Sequence, residues 1–127
     1  MSGLFFCLQD SFSSKGIMLK MIVVLYKRRG MAEDEFRKYL LEIHGPIAKG
    51  LPGLRKYVQN HVVPDTKRRH PGWDAIVELY FDDWVSMERA WASPQGAASD
   101  ADLPKFVDVD RTTWSVVDEM NISMESS

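Results

Sequence analysis

The chain has 127 residues and one cysteine, Cys7. Without a second cysteine there is no internal disulfide, no CxxC pair and no cysteine-based zinc site, a usage that fits a reducing compartment and sets the expectation of a cytoplasmic protein. Long apolar runs are missing too. Leu4-Phe5-Phe6-Cys7-Leu8 falls far short of the roughly 20 apolar residues a membrane helix needs. It also lacks the basic flank and small-residue cleavage pattern of a secretory signal, so no membrane association is expected. Nor is there an excess of one charge: 16 basic against 18 acidic residues leave a formal net charge of -2. Such a chain has no global field to gather a polyanion, and nucleic acid is excluded as an expected partner. No GxGxxG, GxxxxGK, HxH or HExxH occurs, so neither cofactor nor metal is expected.

What is present is an ordinary globular composition, 45% apolar and 27% charged, enough for one domain with a modest core. Residues 1–18 show neither helical nor strand periodicity and read as a leader or arm, whose apolar residues would dock on the body or on a partner subunit. The body is expected over 19–120, with a tail over 121–127. Met21 to Tyr26 is a β-branched apolar run, read as a strand covered on both faces. Glu33, Asp34 and Glu35 then place acid in a first helical turn, and Phe36, Tyr39, Leu40 and Ile43 recur at helical spacing. Gly45-Pro46 is expected to stop that helix, leaving His44 at its C-terminus, where free carbonyls and the macrodipole favour imidazolium.

A second strand is expected from Leu54 to Val63, with Tyr57, Gln59 and His61 on one face, and a third from Trp73 to Phe81, with Asp74, Ile76, Glu78 and Tyr80 opposite its apolar face. Asp82 or Asp83 caps a second helix that should bury Trp84 and Trp91 and end at Ser93-Pro94. Gln95 to Asp102 reads as a polar connector, leading through Leu103, Phe106 and Val107 to a last strand over 112–118. The order β-α-β-β-α-β predicts an α+β, ferredoxin-like sandwich with an antiparallel sheet and both helices on one face. The open face, read as carrying Tyr57, His61, Ile76 and Tyr80, would be covered by the sheet of a second subunit, giving a homodimer with a cavity between the sheets.

Taken in order, Leu25-Tyr26-Lys27-Arg28 with Gly30-Met31, Phe36 through His44 and Pro46, Leu51-Pro52-Gly53-Leu54 through Asn60, Trp73 through Leu79, Ser93-Pro94, and Phe106-Val107-Asp108 resemble the EthD family of dimeric α+β barrels. The similarity covers roughly residues 19–120. Ala32 departs from it, standing where such helices often carry a serine or threonine cap. The resemblance implies a small cofactor-free barrel handling hydrophobic or aromatic metabolites, with oxygenase, isomerase, dehydratase and decarboxylase chemistry among relatives, so it specifies fold better than reaction.

Within that frame His44 is the expected catalytic acid or base, against the plainer reading of a helix-capping histidine. Tyr26, Tyr57, Gln59, His61, Asp74, Glu78 and Tyr80 are expected to contact substrate, against a solvated sheet face. Phe106 and Asp108 stand where relatives close the pocket. Trp84 and Trp91 read as core, and the runs Lys27-Arg28-Arg29 and Lys67-Arg68-Arg69 as solvated loop ends. Two further readings stay open: a carrier that sequesters an apolar metabolite without turnover, and a dimerisation module whose interior is filled.

Overall fold

The computed structural model describes residues 18–125. The expected leader, apart from Met18, and the last two residues of the tail lie outside the described residues. Strands β1 (Leu19–Leu25), β2 (Lys56–His61), β3 (Ala75–Phe81) and β4 (Thr113–Val117) form one antiparallel sheet in the order β2-β3-β1-β4. Helices α1 (Glu33–Tyr39), α2 (Gly45–Ala48), α3 (Trp84–Ala92) and α4 (Pro94–Asp102) complete the ferredoxin-like plan. No helix among the described residues is long and apolar enough to cross a membrane.

Strand register sorts the two faces. Met21 lies opposite Leu79, Val23 opposite Val77 and Leu25 opposite Ala75, and residues directly opposite share a face. These side chains join Phe36, Leu40, Met87, Ala90 and Phe106 in one core, so the helices cover this side. Lys20, Ile22, Val24, Ile76, Glu78 and Tyr80 fall on the other. The register also corrects the expected grouping on β2: Tyr57 pairs with Leu79 and His61 with Ala75. Tyr57, Gln59 and His61 therefore face the helices, and Glu78 and Tyr80 face away from them.

The first helix starts without a side-chain cap at Ala32, its acidic first turn complementing the macrodipole. It does not stop at Gly45-Pro46. Leu40–His44 widens into a π-turn in which the Gly45 N–H bonds the Leu40 carbonyl, and α2 follows directly. Pro46 offers no N–H to the carbonyl four residues back and its ring crowds that carbonyl; a widened turn just before it relieves both. The extra residue shifts the phase of the buried stripe. Phe36, Leu40, His44 and Ala48 are buried in a row, whereas Ile43, expected in the stripe, is 48% exposed.

Asp83 caps α3, its Oδ1 accepting the Ser86 N–H at 2.8 Å. Ser93-Pro94 ends that helix and starts another, because Ser93 Oγ accepts the Gly96 N–H at 3.1 Å and Pro94 occupies the first turn. The expected polar connector from Gln95 to Asp102 is thus helix α4, held by its cap and its alanines, with Gly96, Ser99 and Asp102 buried. Trp84 and Trp91 are only partly buried and pack against the core from its edge.

Candidate functional site

The π-turn points His44 inward, where its Nδ1 lies 2.9 Å from Asp102 Oδ2, the side chains only 8% and 5% exposed. The second oxygen of the same carboxylate accepts the Tyr39 hydroxyl at 2.7 Å. Burial, and then the neighbouring Asp102 carboxylate, push the Tyr39 phenol up to about 12, so it stays a neutral donor. Phe106 backs the arrangement, with its ring 4.8 Å from both the Tyr39 and His44 rings. Asp102 therefore accepts a hydrogen bond from each of two partners, Tyr39 at the end of α1 and His44 in the π-turn, and a carboxylate oxygen facing Nδ1 selects the His44 tautomer with the hydrogen on that nitrogen. Nε2 is left as the basic nitrogen.

His44 lines a cavity of about 520 Å³. Met21, Val23, Val77 and Leu79 of the helix-side sheet face line it together with Met87, Trp91 and Leu103, while Val109 and Trp114 are exposed where they border it. The small side chains Ala48 and Ser99 also line it, leaving room that larger ones would fill. This space lies between the sheet and the helices of one chain, where the sequence reading placed the cavity between two sheets. Its volume and mainly apolar lining are those of a small-molecule site.

Of the expected site residues, the structure brings His44 and Tyr57 to this cavity. Gln59 stands behind them as a strap: its Nε2 donates to the Tyr57 hydroxyl at 2.9 Å and to the Leu40 carbonyl of the π-turn at 3.0 Å, and its Oε1 meets His61 Nε2 at 2.9 Å. Burial, partly offset by the Gln59 contact, raises the Tyr57 phenol. His61 lines a separate depression beside the loop after β2, and burial followed by the Arg37 charge lowers its imidazole below 6.5. Phe106 is fully buried; it is a wedge behind His44, not a pocket closure. Tyr26 packs under Arg111, 4.2 Å from its guanidinium carbon. Asp108 lines a third depression with Arg28 and Arg29. Asp74 accepts the Lys27 N–H at 2.8 Å.

Glu78 and Tyr80 belong to the opposite sheet face. There Lys20 Nζ lies 2.7 Å from Glu78 and 3.1 Å from Glu119, and Tyr80 donates to Glu119 at 2.8 Å. The Lys20 ammonium, then Asn60, hold the Glu78 carboxyl below its ordinary value against a partial opposing effect of burial.

One group among the described residues has metal-ligand chemistry: His70 Nε2 sits 3.6 Å from Glu33 and 3.5 Å from Asp74. Its other nitrogen, Nδ1, accepts the Gly72 N–H at 3.1 Å. A metal on Nε2 would need the ring proton on Nδ1, where a donor already points, so the cluster fits an imidazole N–H shared between carboxylates better than a metal.

Asp102 and Tyr39 are not among the expected site residues: Tyr39 reads as part of the helical stripe and Asp102 as the end of a polar connector. Their signal is indirect: a helix start at Ser93-Pro94 and buried positions every third residue, at 96, 99 and 102.

The EthD domain profile matches residues 28–110. No curated protein matches the chain. Among solved structures, an ethyl tert-butyl ether D (EthD) family protein from Bacillus halodurans is 27% identical, with a TM-score of 0.69, over 82% of this chain and 100% of its own. A dimeric protein of unknown function with a ferredoxin-like fold from Bacteroides fragilis is 13% identical, with a TM-score of 0.60, over 80% of this chain and 96% of its own. A variant of SnoaB, a cofactor-independent oxygenase from Streptomyces nogalater, is 12% identical, with a TM-score of 0.58, over 85% and 98% respectively.

Proposed function

The chain belongs to the EthD family, and from that premise we propose a cofactor-independent enzyme in which His44 moves a proton on a small hydrophobic or aromatic substrate. The observation that carries the reading is the buried Asp102–His44 pair at the wall of an apolar cavity. Nε2 takes a proton from a phenol O–H or an acidic C–H; Asp102, on Nδ1, stabilises the imidazolium so formed. The substrate anion is then reprotonated at another carbon, giving isomerisation, or expels a leaving group from the adjacent carbon, giving elimination, or hands electrons to dioxygen. The last course is the oxidoreductase variant, in keeping with the oxygenase of the same fold. Tyr57 would orient the polar group.

A homodimer in the cytoplasm goes with this reading. The sheet face away from the helices carries Ile22, Val24, Val58 and Ile76 beside the Lys20–Glu78 pair, and the Bacteroides fragilis relative of this fold is dimeric.

The test is a panel of phenols and C–H-acidic aromatic ketones, followed by absorbance and oxygen uptake. The wild-type protein is expected to turn over at least one, and His44→Ala to lower that rate by about 10²-fold or more with an unchanged circular dichroism spectrum. Undiminished turnover in His44→Ala would remove His44 from the chemistry. Ligands that bind and are recovered unchanged would favour the carrier.

A further inference from the structure

The lining of the main cavity is one-sided in charge. The half-buried Glu88 and the exposed Asp100 border it, and among the described residues no lysine or arginine lines it. The basic side chain near the dyad, Lys105, approaches Asp102 at 3.9 Å but is 69% exposed and lies outside the lining. Resting on the proposed function, we infer that this cavity selects uncharged hydroxy- or keto-aromatics and rejects their carboxylate analogues.

Two physical arguments carry this. An anion entering the cavity gives up its hydration shell without gaining a lysine or arginine partner, and it comes near a rim that carries two acidic residues. A neutral phenol loses less on desolvation, and residues with neutral polar groups, Tyr57, Ser99 and Thr112, line the same space. The Tyr57 oxygen already accepts from Gln59, so its own hydrogen is free to donate to a ligand oxygen. The chemistry agrees with this order of events. The substrate O–H bond breaks, its proton goes to His44 Nε2, and the electron pair stays on the substrate oxygen, so the counter-charge appears inside the cavity at the moment the anion does.

The experiment is a paired titration of the full chain at pH 7 with 2-naphthol and 2-naphthoate, read by NMR at the indole N–H groups of Trp91 and Trp114, which line the cavity. We expect 2-naphthol to bind about tenfold or more tightly than 2-naphthoate, a gap of about 1.4 kcal/mol or more, and the gap to narrow in Glu88→Gln/Asp100→Asn. Equal or tighter binding of the naphthoate overturns the charge selection and leaves the cavity as a ligand site. Absence of binding by both probes removes the cavity reading, and the inference with it.

Discussion

His44 and Asp102 lie 58 residues apart in sequence and 2.9 Å apart in space, each almost completely buried. Two local irregularities bring them together. The π-turn brings His44 into the buried row of Phe36, Leu40 and Ala48, and the Ser93 cap restarts a helix whose last residue is Asp102. π-turns of this kind recur at functional sites because they redirect a side chain without breaking the helix.

Asp102→Asn should reverse the His44 tautomer. The Tyr39 hydroxyl donates to one carboxylate oxygen, so the substituted amide keeps its carbonyl toward Tyr39 and turns its NH₂ toward Nδ1. Nδ1 must then accept, and the hydrogen moves to Nε2, which stops it acting as a base. The expected result is a loss of about 10²-fold or more in turnover, with ¹⁵N shifts of His44 showing Nε2 protonated. A variant that keeps the hydrogen on Nδ1 and the full rate would overturn the positioning role of Asp102.

Tyr39→Phe tests the outer half of the same carboxylate. Asp102 keeps His44, so the tautomer should be unchanged, while loss of one hydrogen bond to a charged group costs about 1.5–3 kcal/mol in urea unfolding. In the wild type the Tyr39 phenol, raised to about 12, should ionise after the exposed tyrosines in an absorbance titration. The substitution should remove that last phase.

The strand and helix order was legible in the sequence because the apolar periods are clean: Ala75, Val77, Leu79 and Phe81 alternate and are buried without exception. What was missed follows from physics that leaves no apolar pattern. Helix α4 buries Gly96, Ser99 and Asp102, small or polar residues that look like connector, so the partner of His44 could not be recognised. The side on which Tyr57 and His61 lie depends on the pairing of β2 with β3, and a one-residue difference in that pairing exchanges the faces. Gly45-Pro46 has the pattern of a helix stop, yet a widened turn accommodates Pro46. The resemblance had marked His44 as functional, but the carboxylate that orients it is a tertiary fact.

Acid should weaken the fold through His61. Its folded-state value is depressed by burial and by Arg37, so below the ordinary value of 6.5 the unfolded chain binds a proton that the folded chain resists. The stabilising contribution is therefore full above 6.5 and is lost as pH falls through the depressed folded value. Urea unfolding of the wild type between pH 7.5 and 5 should show a steeper decline than that of His61→Gln, and the NMR titration midpoint of His61 should lie below 6.5. A midpoint at or above 6.5 would contradict the burial argument.

Gly96→Ala is expected to be strongly destabilising, for a reason peculiar to the junction between the last two helices. A Cβ at this position would stand 2.5 Å from the carbonyl oxygens of both Ala90 and Trp91 and 2.7 Å from the Trp91 carbonyl carbon. All three are backbone atoms, so no rotamer change relieves the contact and the two helices must separate. The cost is that of overpacking, about 1–3 kcal/mol or more, which for a domain of this size lowers the melting temperature by several degrees. Because α4 carries Asp102, the strain should also reach the dyad: activity per folded molecule should fall with stability in Gly96→Ala. Gly30→Ala, where no atom lies within 4 Å but φ is +83°, should lose stability from its left-handed backbone and keep its rate. Equal activity per folded molecule in the two variants would show that the α3–α4 junction does not position Asp102.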